Sequence, residues 1–283
     1  MIHILVTGSN GQLGSSIREL VNDTEQYSFI FADVNILDIT IEKDVKDFFQ
    51  INNFHYCINC AAYTAVDKAE TEVDLCYRVN AEAVNNLAKA CLVNNCILIH
   101  VSTDFIFDGS KKQPYLENDP PNPLNVYGAS KLKGEQYVKK HLEEYFIIRT
   151  SWVYSKFGHN FVKTMLKLGK ERDELNVISD QFGSPTYAPD LAKFIMFLIK
   201  ERSEDYGIYH FSNTGIISWF DFAKAIIELS QSKAVVSPIS SKEYEVKAIR
   251  PQYSVMNTEK AQKLLTKPIE KWRDSLAECF ETM

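Results

Sequence analysis

The chain has 283 residues, 45% hydrophobic and 24% charged, a balance that excludes a disordered, collagen-like or coiled-coil chain and leaves room for nearly two domains. Lys and Arg number 31 against 37 Asp and Glu, a net charge of −6 with no long basic run, so no nucleic acid is expected as a partner. No basic leader precedes Ile2-His3-Ile4-Leu5-Val6, no stretch of about 18 apolar residues occurs, and six scattered cysteines suit a reducing compartment. These features predict a cytoplasmic protein with free thiols and no membrane contact.

The first half alternates short β-branched or aromatic runs (2–6, 27–32, 56–60, 96–101 and 145–149) with amphipathic stretches (11–21, 40–52 and 80–94). That rhythm of βαβ units predicts an α/β fold: a doubly wound, Rossmann-type parallel sheet that binds ligands at the carboxyl ends of its strands. The spacing of Cys57 and Cys60 is that of half a zinc or redox site, but no second pair completes it. Residues three apart on a strand point to opposite faces, so the pair reads as buried structure and no metal is expected. Four prolines and Gly109 between Asp104 and Asn125 predict a long ordered loop or a lid. Beyond Arg149, helices are expected over 160–170, 189–202, 218–231 and 270–280, with strands at 175–178 and 207–211. The predicted organisation is a dinucleotide-binding domain over 1–150 and a smaller, mainly substrate-binding lobe over 151–283, some of whose segments return to the first domain.

Only 11 residues are Gly, yet Gly8, Gly11 and Gly14 fall together in Val6-Thr7-Gly8-Ser9-Asn10-Gly11-Gln12-Leu13-Gly14, directly after a strand and opening a helix. The three suit a tight turn, close backbone approach to a pyrophosphate, and close packing of helix on strand. The helix N-terminus offers free N–H groups and a positive dipole end to the anion. Asp33, at the end of the second strand, is placed to accept hydrogen bonds from an adenosine ribose; it also reads as a loop carboxylate capping the next segment. Both NADH and NADPH remain open.

Asn125 is expected to cap a helix that carries Tyr127 and Lys131 at i and i+4, on one face. An ammonium beside a phenol favours the phenolate and is expected to draw the Tyr127 pKa down from its usual value of about 10. Upstream, His100-Val101-Ser102-Thr103-Asp104 brings hydroxyls to the end of a strand, and either Ser102 or Thr103 could face a substrate carbonyl beside Tyr127. The competing reading makes Tyr127 a half-buried aromatic and Lys131 a solvated residue paired with Glu135.

Taken in order, the glycine turn, the hydroxyl-bearing fourth strand and the Tyr-Lys helix resemble the extended short-chain dehydrogenase/reductases. Residues 59–70, 102–109, 123–128 with Lys131, Gly134 and Glu135, then 149–154, 160–162, 180–186 and Arg250-Pro251, resemble the dTDP-4-dehydrorhamnose reductase family over nearly the whole chain. The resemblance implies reduction of the C4 ketone of dTDP-4-dehydro-β-L-rhamnose to dTDP-β-L-rhamnose by NADPH or NADH. Tyr127 is implied as proton donor, Lys131 as holder of the nicotinamide ribose and Thr103 as a hydrogen-bond partner of the reacting oxygen. It further implies Thr103, Asp104 and Trp152 as sugar-nucleotide contacts, and Gly11, Gln12, Leu13, Asp38, Ile39, Ala62, Tyr63 and Thr64 as cofactor contacts.

Some relatives are magnesium-bridged dimers, but Ser16 and Pro189 stand where carboxylate ligands would be needed, so no metal is carried over and monomer and homodimer stay open. The rival readings are another extended-family enzyme, such as a 4-epimerase acting on a UDP-sugar, and a non-catalytic partner similar to the regulatory subunit of methionine adenosyltransferase.

Overall fold

The computed structural model describes residues 1–21 and 25–283. Its strands are β1 (Ile2–Thr7), β2 (Tyr27–Ala32), β3 (Tyr56–Asn59), β4 (Ile97–Thr103), β5 (Tyr145–Thr150), β6 (Val153–Tyr154), β7 (Glu174–Ile178), β8 (Phe182–Gly183), β9 (Thr186–Tyr187), β10 (Gly207–His210), β11 (Ile217–Ser218) and β12 (Val235–Ile239). Its helices are α1 (Gln12–Leu20), α2 (Glu42–Asn52), α3 (Val66–Ala69), α4 (Val73–Tyr77), α5 (Ala83–Val93), α6 (Val126–His141), α7 (Phe161–Glu171), α8 (Ala188–Lys200), α9 (Trp219–Leu229), α10 (Glu259–Leu264) and α11 (Trp272–Glu281).

Six strands form one sheet in the order β10-β5-β4-β3-β1-β2, with every pairing parallel. The chain leaves β1 for β2 on one side and then crosses to β3 on the other. The carboxyl end of β1 is therefore the switch point at which a doubly wound sheet opens a crevice. Alternate strand residues bury alternate faces: Ile4, Val6, Ile58, Ile99 and Ile148 pack against α1 and α8, while Leu5, Cys57, Leu98 and Ile147 pack against α2, α5 and α6.

After β5 the elements divide between two cores. Leu191, Phe194, Ile195 and Leu198 of α8, Tyr209 of β10 and Ala261 of α10 join the first face of the sheet. A separate core, built on Val162, Leu175, Val177, Phe222, Ile226 and Leu276, lies among α7, α9, α11 and the parallel pair β7–β12. Pro238 hides β12 from sequence reasoning because proline removes a ladder donor. It is tolerated here because each strand of a two-stranded sheet is an edge.

Two expected boundaries shift in ways that matter. The fourth strand runs on to Thr103, so Ser102 and Thr103 lie within it rather than after it. The single helix expected over 80–94 is α4, a π-helical turn at Arg78–Glu82, and α5. The proline-rich stretch after β4 is an ordered loop that opens with one 3₁₀ turn, Asp104–Ile106. Phe107 and Tyr115 stack at 4.1 Å, and backbone bonds from Tyr115 N to Val255 O and from Asn257 N to Tyr115 O fasten the loop to the segment before α10. Among the described residues no helix is long and apolar enough to cross a membrane.

Candidate active site

The glycine turn occupies the switch point. Gly8 has φ +61, and a Cβ there would lie 2.6 Å from Ala61 Cα, so both the turn and the approach of β3 require glycine. A Cβ on Gly14 would lie 2.6 Å from Ser9 Cα, which makes this the contact of helix on strand. Gly11 at the N-cap of α1 borders two cavities. The smaller, about 310 Å³, also reaches Gly8, Asp33, Asp38, Ile39 and Ala62. Asp33 accepts from Asn10 N at 3.0 Å and Val34 N at 2.8 Å, so its carboxylate braces the glycine loop and also faces the cavity. Asp38 accepts from both the amide and the hydroxyl of Thr40, which fixes that wall.

The larger cavity, about 620 Å³, meets the smaller at Gly11, Cys60 and Ala62. Gln12, Leu13 and Thr64 line it at the α1 end, and Thr103, Asp104, Tyr127, Lys131 and Trp152 at the other. Two predicted cofactor residues are placed differently. Gly14 is covered by the turn, and the Tyr63 ring turns away to donate its hydroxyl to Glu72 at 2.7 Å. The backbone of Tyr63 still matters, because Asn80 accepts from its N–H at 2.8 Å and donates to its carbonyl at 3.0 Å. Asn80 lies in the π-helical turn, is fully buried and also donates to Ser130 of α6. Sequence periodicity did not single it out, since a π-turn breaks the helical repeat.

Asn125 caps α6 by accepting from Gly128 N at 2.8 Å, as expected. Gly128 lets α6 meet the 3₁₀ turn: a Cβ there would sit 2.1 Å from Phe105 O. Ser102 is committed elsewhere. It donates to Glu135 at 2.6 Å, and Glu135 is held by two bonds from buried Arg149, at 2.9 and 2.8 Å. Glu135 therefore does not pair with Lys131, and Lys131, only 2% exposed, is not solvated; its Nζ donates to Val101 O at 2.6 Å.

The other hydroxyl, Thr103, lines the cleft beside Tyr127 and works to lower its phenol. Thr103 donates its hydrogen to Asp104 at 3.1 Å, which leaves its oxygen to accept. That oxygen accepts from Phe105 N at 3.2 Å, and Thr103 borders the large cavity beside Tyr127. Burial pushes the Tyr127 phenol up to about 12, and the Asp104 carboxylate acts in the same direction. The expected downward shift from Lys131 is absent, because the ammonium is turned to Val101. Burial brings Lys131 down to about 8 against the opposing pull of Glu135, and raises Asp104 to about 6 despite donors from Ser254 and Thr103.

Trp152 has φ +49, a strained backbone for a bulky residue, and such strain gathers at functional sites. Its indole stacks on Trp219 at 3.6 Å and covers Gly183, where a Cβ would lie 2.7 Å from the ring. The stacked pair borders both the large cavity and a third one of about 370 Å³, which runs between Phe105 and Tyr244 and carries Arg172 and Arg250. Sequence reasoning did not find Trp219 because an aromatic at the start of a helix reads as packing.

A glycine turn at the switch point, a threonine ending β4, and a tyrosine and a buried lysine one turn apart on the next long helix define an extended short-chain dehydrogenase/reductase. A family model described as "RmlD substrate binding domain" matches residues 2–283, and the chain belongs to that family. It is 40% identical over 288 residues to a dTDP-4-dehydrorhamnose reductase of Aggregatibacter actinomycetemcomitans, covering 98% of this chain and 97% of the relative. A Bacillus anthracis dTDP-4-dehydrorhamnose reductase crystallised in complex with NADP is similar with TM-score 0.96 and 43% identity, covering 100% of both chains. A Clostridium acetobutylicum reductase of the same name is similar with TM-score 0.95 and 42% identity over 99% of each.

Proposed function

We propose that this protein reduces the C4 ketone of dTDP-4-dehydro-β-L-rhamnose to dTDP-β-L-rhamnose, with NADPH or NADH as reductant. The observation that carries the reading is a cleft lined by Thr103, Tyr127 and Lys131 that joins the glycine turn to an aromatic, arginine-bearing cavity. Full-length similarity to reductases of that name favours reduction over epimerisation or a purely regulatory role.

The residues present fit a dinucleotide. Gly8 and Gly11 leave backbone open at the helix N-terminus, Asp33, Asp38 and Ile39 line the adenosine end, and Gln12, Leu13, Ala62 and Thr64 lead toward Lys131. When bound, the nicotinamide supplies the hydride. Lys131 has three donors and commits one to Val101, which leaves two for ribose hydroxyls. A phenol at about 12 holds its proton at neutral pH and yields it only to a stronger base, such as an alkoxide forming on the reduced carbon. Thr103 borders the cleft beside that hydroxyl and works to lower its phenol against burial. Trp152, fixed between Gly183 and Trp219, offers a flat apolar face to a 6-deoxysugar, and Asp104 lies beside it in the cleft. Arg172 and Arg250 supply the positive charge a nucleoside diphosphate needs.

In this reading residues 1–150 hold mainly the cofactor and 151–283 mainly the sugar nucleotide. Free cysteines support a reducing, cytoplasmic setting. The test is cofactor oxidation with the dTDP-4-keto sugar made in situ, run beside a UDP-hexose control. Consumption with the first alone is expected; none with the first overturns the proposal.

A further inference from the structure

NADH and NADPH differ at one place, the 2′ position of the adenosine ribose. A hydroxyl that can donate a hydrogen bond is replaced there by a phosphate carrying roughly two negative charges at pH 7. In the proposed reading that position falls in the smaller cavity, at the end of β2 beyond the glycine turn. Asp33, Val34, Leu37, Asp38, Ile39 and Thr40 form the wall there, two carboxylates among apolar and neutral groups. Among the described residues no lysine, arginine or histidine lines this cavity.

Asp33 is held where it stands. One carboxylate oxygen accepts from Val34 N at 2.8 Å and the other from Asn10 N at 3.0 Å. Its carbonyl accepts from Ile36 N at 2.8 Å and Leu37 N at 2.9 Å, and Ser9 N donates to Ala32 O at 3.2 Å. The carboxylate is thereby fixed between the glycine turn and the loop after β2, and each oxygen keeps a lone pair for a ribose hydroxyl. Cations of the neighbouring helices are engaged elsewhere. Arg18 of α1 donates to Ser9 Oγ at 3.1 Å and lies over the Phe31 ring, Lys43 pairs with Asp47, and Lys89 pairs with Glu42. Arg78 stands next to Val79 of the wall but does not line the cavity.

We propose that this protein selects NADH over NADPH and that Asp33 is the residue that discriminates. Its fixed carboxylate accepts from the 2′ hydroxyl of NADH and repels the 2′-phosphate of NADPH, with no lysine or arginine among the described wall residues to offset the repulsion. The inference rests on the reading of this cavity as a dinucleotide site, and the identity of the sugar does not enter it. Like charges brought together without a counter-ion change affinity by about tenfold or more. Val34 is 62% exposed and flanks Asp33, so it is the position at which a cation would favour the phosphate. Both bonds to Asp33 come from backbone amides and survive a change of that side chain.

The experiment measures the binding of NADH and of NADPH separately by isothermal titration calorimetry, without sugar nucleotide, to the wild type, Asp33→Asn and Val34→Arg. The wild type is expected to bind NADH at least about tenfold more tightly than NADPH. Asp33→Asn removes the charge and is expected to weaken NADH while tightening NADPH. A merely loosened glycine turn would weaken both, so the crossed change separates discrimination from bracing. Val34→Arg, which leaves the Asp33 carboxylate and its bonds in place, is expected to tighten NADPH about tenfold. Equal affinities in the wild type, or tighter NADPH, overturn the inference and leave the dinucleotide reading standing. An NADH-to-NADPH ratio that neither variant changes overturns it as well. If neither dinucleotide binds the wild type, the dinucleotide reading fails and the inference with it.

Discussion

At the scale of single residues, chemistry follows from where a proton sits. Tyr127 keeps its proton through neutral pH because burial raises it to about 12, and a general acid in the role proposed for it contributes about a hundredfold or more. Tyr127→Phe is accordingly expected to lose at least about a hundredfold in kcat while cofactor affinity, measured by fluorescence titration, changes little. The pH dependence follows from two neighbours. Burial raises Asp104 to about 6, so the carboxylate is lost as pH falls through that value. Burial lowers Lys131 to about 8, so its ammonium is lost as pH rises through that value. A kcat/KM profile for the cofactor, which reports groups of the free protein, is expected to be bell-shaped with limbs near those two values. A flat profile from 5 to 9 would contradict these assignments.

At the scale of elements, α6 is the part on which the site depends, and two contacts fix it. The first is Gly128 against Phe105 O. Alanine is favoured over glycine in a helix by roughly 1 kcal/mol, but a Cβ 2.1 Å from a backbone oxygen forces α6 away, and overpacking of this kind costs about 1–3 kcal/mol. Gly128→Ala is expected to lower both stability and kcat, measured by urea unfolding and initial rates. The second is the buried Glu135–Arg149 pair joining α6 to β5, with Ser102 of β4 on the same carboxylate. Removing one partner leaves a buried charge, which costs about 3–5 kcal/mol. Arg149→Met is therefore expected to destabilise by that amount, and the double change with Glu135→Leu to recover more than half of it.

These elements also show why some of the site was legible and some was not. The glycine turn, the Asn125 cap and the Tyr127-Lys131 spacing are local signals that depend on a few neighbouring residues, and each lies where its spacing predicted. The commitment of Ser102 to Glu135, the turning of Lys131 to Val101 and the bond from Ser254 to Asp104 join residues about 30 to 150 positions apart, and no periodicity encodes them.

At the scale of the whole molecule, the cleft is closed by ties across it. Gln12 at the head of α1 donates to Val153 O and accepts from Asn160, and Lys156 pairs with Glu19. Opposite them Arg250 forms two bonds to Asp67, which also accepts from Lys247 N and Ala248 N and so pins the segment bordering the third cavity. The Asp67 carboxyl is held below its usual range chiefly by Arg250. Because the pair is partly exposed, its loss is expected to cost little stability. Asp67→Ala should instead weaken sugar-nucleotide binding by about 1 kcal/mol, a roughly fivefold rise in its KM, with the cofactor KM nearly unchanged.

In the proposed function this cleft delivers a hydride to C4 of a dTDP-linked keto sugar while Tyr127 protonates the oxygen. The most direct measurement is product analysis by mass spectrometry and NMR after turnover with C4-deuterated cofactor. One deuterium at C4 of the dTDP-sugar for each cofactor consumed is the predicted result. A product without deuterium, or with deuterium at another carbon, would contradict it.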